Sequence, residues 1–421
     1  MTKAKDIYTF RDAEKQLGPV AFTTMLKPAG STCNLDCHYC YYIDKAVQYG
    51  GKQAVMSDEL LERYIRQYIE ANEVDLVQFC WHGGEPLLLG IDFYRRALAL
   101  QEKYADGKRI ENVLQTNGTL VDNAWCDLFA AHHFLVGISL DGPEDIHDAF
   151  RLTKGGEPTF ARVMQTIERF QRHGVEYNTL SVVNRLCEGR GREIYRFFRD
   201  TVRSRYMQFL PAVEHVIDKS GFHRPLIVSP EHEGARLAEW SISAAGYGQF
   251  LCDLFDEWVV QDVGHYFVQM FDATLAQWCG LSPGVCSMGE TCGDALVVEH
   301  NGDVYSCDHF VYPEYKLGNI SDTSLAAIYR SRQRVDFGMA KRNTLPAECL
   351  RCTYYVACRG GCPKHRFDTG RDGCRKNSLC EGLYAYFRHT EPYMRYMREL
   401  LSKQQSPAWV IPFARKRMGL M

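Results

Sequence analysis

The sequence lacks an apolar run long enough to cross a membrane, which would need about 18 to 20 consecutive apolar residues. It also lacks an excess of charge, since 49 basic and 52 acidic residues give a net charge of −3. No Lys/Arg run is interleaved with aromatic residues, as a nucleic-acid groove would require. The first six residues lead into further charged residues and not into the apolar stretch of a signal peptide. These absences argue against membrane and nucleic-acid partners and predict a cytoplasmic protein.

Cysteine is the residue type that the sequence has in excess. A reducing compartment disfavours structural disulfides, so clustered cysteines there more often bind metal or take part in chemistry. Of the seventeen cysteines, three fall within residues 33–40 and nine between residues 286 and 380. The isolated cysteines are predicted to be buried thiols that pack as small hydrophobic residues; they are Cys80, Cys126, Cys187, Cys252 and Cys279.

From residue 20 to about residue 215, short β-branched or apolar runs alternate with amphipathic helical patterns. The predicted strands are Phe22–Lys27, Leu76–Trp81, Val113–Gln115, Leu135–Leu140, Tyr177–Val183 and Tyr206–Pro211. The clearest helical patterns are Ser57–Ala71, Asp122–Ala131 and Thr159–His173. Such a series implies parallel strands joined by right-handed crossovers. Six units are too few for a complete eight-fold barrel, so the fold class is α/β with a partial (β/α)6 barrel.

The 421 residues are predicted to divide into four parts. Residues 1–235 form the barrel, and residues 236–281 form a helical connector between two domains. In residues 282–385 helical periodicity fades while Gly, Pro and Cys increase, which indicates a small loop-rich domain held by metal. Residues 386–421 return to an amphipathic helical tail. Since active sites of parallel α/β sheets lie at the carboxyl ends of the strands, the loops there should converge on one cleft.

Cys33, Cys37 and Cys40 have C-x3-C-x2-C spacing in the loop after the first predicted strand. Three thiolates can ligate three irons of a [4Fe-4S] cluster and leave the fourth iron open, whereas four cysteines would close it. An open iron can bind a cofactor or substrate. A zinc site is the alternative, but structural zinc requires four ligands.

This triplet, with Tyr39 before its last cysteine, resembles the signature of the radical S-adenosylmethionine (SAM) family. Gly83, Gly84 and Glu85 follow the second predicted strand and resemble the family's second motif. The resemblance implies that the open iron binds the amino and carboxylate groups of SAM. It further implies that the glycines and Glu85 approach the methionine ammonium. The other residues that it places at SAM are Ser139, near the ribose; Arg151, as a fork for the carboxylate or else a surface ion pair; and Leu210, beside the adenine or else in the core.

The C-terminal cysteines resemble the SPASM domain of radical SAM maturases. Eight cysteines can fully ligate two auxiliary [4Fe-4S] clusters, which then cannot bind substrate. By the family pairing, Cys286, Cys292, Cys307 and Cys362 hold the first auxiliary cluster. Cys349, Cys352, Cys358 and Cys380 hold the second. Cys374 is spare unless it replaces Cys380, and a pair of zinc ribbons is the alternative.

Among SPASM proteins, the chain resembles the anaerobic sulfatase-maturating enzymes over nearly its whole length. This resemblance implies oxidation of Cys or Ser in a Cys/Ser-x-Pro-x-Arg segment of an unfolded or nascent sulfatase to Cα-formylglycine. It implies SAM and three [4Fe-4S] clusters as cofactors, with a flavodoxin- or ferredoxin-type electron donor. The oxidation removes one hydrogen atom, one proton and one electron. Asp308, directly after Cys307, is the predicted base, and Tyr42 is the alternative proton acceptor or a substrate contact.

Two other functions remain open from the sequence. A SPASM maturase of ribosomal peptides would form thioether or carbon–carbon crosslinks, and many carry an N-terminal recognition domain. Only 32 residues precede Cys33, which favours the sulfatase reaction. A zinc-stabilised binding protein is the non-enzyme alternative, and iron analysis would exclude it.

Overall fold

The computed structural model describes residues 20–49, 55–218, 224–228 and 232–420. Its centre is a sheet whose first six strands are all parallel to their neighbours, in the order of the chain. They are β1 Thr23–Lys27, β2 Leu76–Trp81, β3 Arg109–Thr116, β4 Leu135–Ser139, β5 Glu176–Val183 and β6 Tyr206–Pro211. The partial (β/α)6 barrel is confirmed. Strand β3 begins four residues before its predicted start, because its polar first residues pair in register with β2 from Leu76 onward.

The later strands extend this sheet at both edges. The further strands of the described residues are β7 His215–Ile217, β8 Leu226–Val228, β9 Arg236–Leu237, β10 Phe267–Val268, β11 Ala295–Glu299, β12 Asp303–Tyr305, β13 Lys316–Asn319, β14 Asp368–Thr369 and β15 Arg375–Lys376. Strand β10 pairs with β6, and β11 pairs in parallel with β1, followed by antiparallel β12 and β13. The C-terminal domain therefore continues the barrel sheet, which the sequence analysis did not predict.

The crossover helices cover the outer face of the barrel. They are α1 Asp58–Ala71, α2 Ile91–Tyr104, α3 Asn123–Ala131, α4 Glu144–His147, α5 Phe160–His173 and α6 Gly191–Arg196. Ser57 caps α1 by accepting from the Leu60 N–H, and Asp122 caps α3 in the same way. In β2, alternate side chains such as Phe79 and Trp81 are buried against these helices. The intervening side chains point into the barrel, as the two-residue period of a strand requires.

The rest of the described chain is helical or forms short loops around the cysteines. Its helices are α7 Ala244–Val259, α8 Gln269–Trp278, α9 Leu325–Tyr329, α10 Arg332–Asn343, α11 Ala347–Leu350, α12 Tyr355–Cys358, α13 Cys380–Ser402 and α14 Val410–Arg417. Helices α7 and α13 cross closely at Gly382. A Cβ there would lie 1.9 Å from the Ala244 carbonyl oxygen, so the close approach requires glycine. The predicted connector thus packs against the C-terminal helix. No helix of the described residues is both long and apolar enough to span a bilayer.

Candidate active site

The three N-terminal thiols lie together in the loop after β1. Burial, with smaller contributions from the nearby Glu85 and Cys40, raises the pKa of Cys33 to about 12. Burial also raises the pKa of Cys37 and of Cys40. The Leu35 N–H donates to Cys33 Sγ at 3.4 Å. Such buried thiols become thiolates only beside positive charge, so the loop suits a bound metal cluster.

The loop after β2 lies directly against the segment that leads into the cysteine loop. The Gly84 N–H donates to the Gly30 carbonyl, and the Glu85 N–H donates to the Thr32 carbonyl, both at 2.8 Å. A Cβ at Gly84 would lie 2.0 Å from the Thr32 oxygen, and Gly83 has φ +132°. The predicted glycines are therefore required by this backbone approach, and both loops face one site.

Glu85 joins the ends of two strands. Its buried carboxylate accepts hydrogen bonds from Leu87 N at 3.0 Å, Thr116 Oγ1 at 2.9 Å and Asn117 N at 2.8 Å. Burial raises its pKa to about 7 despite these bonds. Glu85 was predicted to balance the ammonium group of SAM, but in the structure its carboxylate accepts hydrogen bonds from the protein itself. Glu85 holds the ends of β2 and β3 beside Cys33.

Arg151 forms a buried ion pair and not the surface pair of one predicted alternative, while its contact with a cofactor carboxylate stays a prediction. Its guanidinium donates to both carboxylate oxygens of Asp141 at 3.0 Å, and Asp141 is fully buried. The Tyr39 hydroxyl also donates to Asp141, and the Tyr39 ring centroid lies 5.5 Å from the guanidinium carbon. A buried carboxylate needs such a counter-charge. The fork predicted for a cofactor carboxylate is therefore engaged by Asp141, beside Cys37.

Ser139 and Leu210 line the barrel interior at the carboxyl ends of their strands. Ser139 Oγ accepts from Gln115 Nε2 at 3.0 Å. Leu210 is 42% exposed, whereas its neighbour Phe209 is buried in the core. The core alternative for Leu210 is thus wrong, and its side chain is open to the interior. Their contacts with a cofactor remain predictions.

Asp308 reaches this site because β11 pairs with β1. It forms an ion pair with the buried Lys27 at the end of β1, and it accepts a hydrogen bond from the Tyr41 hydroxyl. Burial alone would raise the pKa of Asp308, but Lys27, His82 and His309 lower it, and the net shift is downward. The predicted base is therefore a carboxylate held between the first strand and the cysteine loop.

The Tyr42 hydroxyl is engaged by Glu299, and the hydroxyl that contacts Asp308 belongs to the adjacent Tyr41. The Tyr42 hydroxyl donates to both oxygens of the buried Glu299, at 2.7 and 2.8 Å. Burial raises the pKa of Tyr42 well above its usual value, so it is a poor proton acceptor. Tyr41, which sequence reasoning missed, is the hydroxyl beside Asp308. Only the loop conformation distinguishes two successive tyrosines, so the sequence carried no signal.

The C-terminal cysteines lie in two groups of neighbouring thiols. Burial, with smaller contributions from Cys362 and Cys286, raises the pKa of Cys292 to about 12. Burial, Cys362 and Cys286 likewise raise the pKa of Cys307. We call Cys286, Cys292, Cys307 and Cys362 the first quartet.

The second quartet comprises Cys349, Cys352, Cys358 and Cys380. Burial, with smaller contributions from the other three members, raises the pKa of Cys358 to about 12. Cys374 instead lies in the turn between β14 and β15, where its N–H donates to Asp372 at 3.2 Å. Of the isolated cysteines, Cys126 and Cys187 are buried as predicted, and the other three are half-buried.

The spacing of these groups bears on the zinc alternatives. In the described ranges, no set of three or more His, Cys, Asp or Glu side chains is arranged to hold a single metal ion. A zinc ion would draw its thiolates to about 2.3 Å from one centre. Sets of three and four cysteine thiols are the donor type that holds [4Fe-4S] clusters in proteins. The triplet and both quartets therefore fit iron–sulfur clusters.

Comparison with known proteins decides the family. Residues 28–196 match the radical SAM superfamily, and residues 286–353 match an iron–sulfur cluster-binding (SPASM) domain. A serine-type anaerobic sulfatase-maturating enzyme of Bacteroides thetaiotaomicron is 47% identical, over 91% of this chain and 93% of its own length. The chain belongs to the anaerobic sulfatase-maturating enzymes. It is a radical SAM oxidoreductase, and its cofactors are SAM and [4Fe-4S] clusters.

Two further comparisons agree with this assignment. A cysteine-type anaerobic sulfatase-maturating enzyme of Clostridium novyi is 32% identical over 91% of this chain and 99% of its own length. The solved structure of native anSMEcpe with bound AdoMet and Kp18Cys peptide has a TM-score of 0.78 and 29% identity. It covers 90% of this chain and 99% of that one. The family therefore favours the sulfatase reaction over the peptide-crosslinking alternative.

Lys341 anchors the first quartet of this sulfatase-maturating enzyme. It is 1% exposed, and its ammonium donates to the carbonyl oxygens of Cys286, Ser287 and Gly289. Burial lowers its pKa, while Cys292 and Cys286 raise it. One buried cation therefore fixes the loop that carries Cys286.

Lys341→Met is expected to lose about four irons per chain, the content of one cluster. Methionine keeps the apolar stem but leaves three carbonyl groups without their donor, which costs about 1–3 kcal/mol for each buried group. Iron and sulfide analysis of the anaerobically purified variant measures the loss. Lys403→Met is the control, because Lys403 is exposed and pairs only with Glu399. A Lys341→Met protein with the full iron content would contradict this anchoring role.

Proposed function

We propose that this chain oxidises a serine side chain of a sulfatase to Cα-formylglycine. The observation that carries the proposal is the position of Asp308. Its carboxylate lies between Lys27 of the first barrel strand and Tyr41 of the cysteine loop, and it follows Cys307 of the first quartet. A base thus lies where the radical-generating loop and the auxiliary domain meet.

We assign the cofactor contacts as follows. Cys33, Cys37 and Cys40 hold the cluster that binds SAM. The loop of Gly83 and Gly84 lets the backbone approach the SAM methionine, and Ser139 and Leu210 line the interior where its nucleoside would lie. Glu85, Tyr39 and Arg151 support this site through their own hydrogen bonds. The two quartets hold the auxiliary clusters.

The residues of the chain supply the proton transfer. When bound, SAM and the clusters supply the radical that takes one hydrogen atom and the acceptor that takes one electron. Converting –CH2–OH to an aldehyde also releases one proton, which Asp308 accepts. Lys27 keeps the Asp308 carboxylate charged before the reaction, and Tyr41 orients it.

Serine is proposed as the substrate residue because the serine-type relative is 47% identical and the cysteine-type relative is 32% identical. We expect kcat/KM for a Ser-x-Pro-x-Arg peptide to exceed that for the matched Cys-x-Pro-x-Arg peptide by about tenfold, or about 1.4 kcal/mol in the transition state. The test is anaerobic competition between the two peptides with SAM and a reductant, read by mass spectrometry. Serine should lose two hydrogens first, and faster conversion of the cysteine thiol to an aldehyde would refute the preference.

The partners proposed for the chain follow from this reaction. The client is an unfolded or nascent sulfatase segment, and a flavodoxin- or ferredoxin-type protein supplies electrons for SAM cleavage. None of the seventeen cysteines forms a disulfide bond in the structure. This is typical of a reducing compartment, and it supports a cytoplasmic location.

A further inference from the structure

Arg366 is a buried cation that the proposed reaction does not use. It lies four residues after Cys362 and is 6% exposed. Its Nη1 donates to the Lys341 carbonyl at 2.7 Å, and its Nε donates to the Gly360 carbonyl at 3.4 Å. Its Nη2 is buried and has no hydrogen-bond partner among the described residues. Burying an arginine removes its charge from water, and this desolvation penalty has to be offset by negative charge nearby.

The guanidinium lies between the two quartets. Gly360 is part of the short segment that joins Cys358 of the second quartet to Cys362 of the first, and a Cβ at Gly360 would lie 3.1 Å from Arg366 Nη2. On its other side, Arg366 contacts the helix of Lys341, whose ammonium holds the Cys286 carbonyl. Arg366 therefore contacts both the segment that joins the two quartets and the helix that holds the Cys286 loop of the first quartet.

The charges around Arg366 come from both quartets as well. Burial lowers the pKa of Arg366, while Cys362, Cys349, Cys292 and Cys358 raise it. Two of these cysteines belong to the first quartet and two to the second. Arginine stays protonated in proteins, so its charge is fixed whatever the thiols bind.

We propose that Arg366 is a positioning residue whose single positive charge stabilises the reduced state of both auxiliary clusters. Reduction adds one negative charge to a cluster, and a fixed cation in a low-dielectric interior favours that added charge. Because the guanidinium faces both quartets, both reduction potentials depend on it. The inference rests on the proposed ligand assignment and does not depend on which side chain is oxidised.

The test is an anaerobic redox titration of the auxiliary clusters, followed by electron paramagnetic resonance. The full chain carries Cys33, Cys37 and Cys40 as alanine, so that only the auxiliary clusters titrate. In Arg366→Gln, the ratio of reduced to oxidised cluster at a fixed potential should fall at least about tenfold for both clusters, which is about 59 mV for one electron. Arg371→Gln removes the same charge from a 94% exposed side chain and should change the ratio less than about threefold.

Arg366→Lys separates charge from hydrogen bonding. It keeps the positive charge but loses the planar fork, and we expect full auxiliary iron and potentials close to those of the parent protein. If Arg366→Gln loses its iron while Arg366→Lys keeps iron and potentials, the charge is still the required feature. Iron loss in both variants, or unchanged potentials in a fully loaded Arg366→Gln, would overturn the proposal. These potentials are measured without substrate, so failure here is distinct from failure to form an aldehyde.

Discussion

Asp308→Asn is expected to abolish aldehyde formation while SAM cleavage continues. The amide cannot accept the proton that leaves the substrate, and a positioned general base contributes about 10²- to 10⁴-fold to a rate. Asp308 contacts the cysteine loop through the Tyr41 hydroxyl, and asparagine keeps a side-chain oxygen that can accept this hydrogen bond, so the loop should hold its position. Deoxyadenosine should therefore still form, with little or no modified peptide.

Two controls make this result specific to the base. Removing the Asp308 charge leaves Lys27 as an unpaired buried cation, which can cost about 3–5 kcal/mol, so iron content and thermal stability must be compared with the parent enzyme. Asp303→Asn is the matched control, because Asp303 is 6% exposed and pairs with Lys316 in the same domain. It should form aldehyde at the parent rate. Normal turnover by a fully loaded Asp308→Asn enzyme would show that the base lies elsewhere.

The barrel could be predicted because its signals are local. Apolar runs of strand length alternate with amphipathic helices, and Ser57 and Asp122 mark two helix starts that the structure confirms. The bounds of β2 and β6 agree with the prediction to the residue. The grouping of the cysteines also followed from spacing and family resemblance.

The pairing of β11 with β1 could not be predicted, because it joins segments about 270 residues apart and no local pattern records a partner at that separation. This contact brings Asp308 to Lys27, so the candidate base could be predicted from its position after Cys307, whereas its counter-ion could not. The pair of Arg151 with Asp141 was missed for a different reason, because the two residues are only 10 apart in the chain and it is their packing that joins the side chains. Arg366 was also missed, since nothing in its local sequence places it between two cysteine quartets.

Replacing Cys33, Cys37 and Cys40 together by alanine is expected to remove one cluster and all SAM cleavage. Iron should fall from about twelve to about eight per chain, at four irons per cluster. The thiols of the triplet lie in the loop after β1, whereas both quartets are built from residues 286–380, so the auxiliary clusters should assemble without it. Iron and sulfide analysis, together with chromatography of deoxyadenosine, measures both effects.

Cys374→Ser is the matched control for this cysteine replacement. Cys374 belongs to the same C-terminal segment as the quartets, but it lies in the β14–β15 turn, so its loss should leave about twelve irons and normal SAM cleavage. A loss of about four irons would instead make Cys374 a ligand in place of Cys380. If the triple-alanine chain still forms deoxyadenosine, or if the parent protein binds zinc at the triplet, the cluster assignment is wrong. Three thiolates leave one iron free for SAM, and a fourth protein ligand there would exclude SAM and with it the hydrogen-atom abstraction that the oxidation requires.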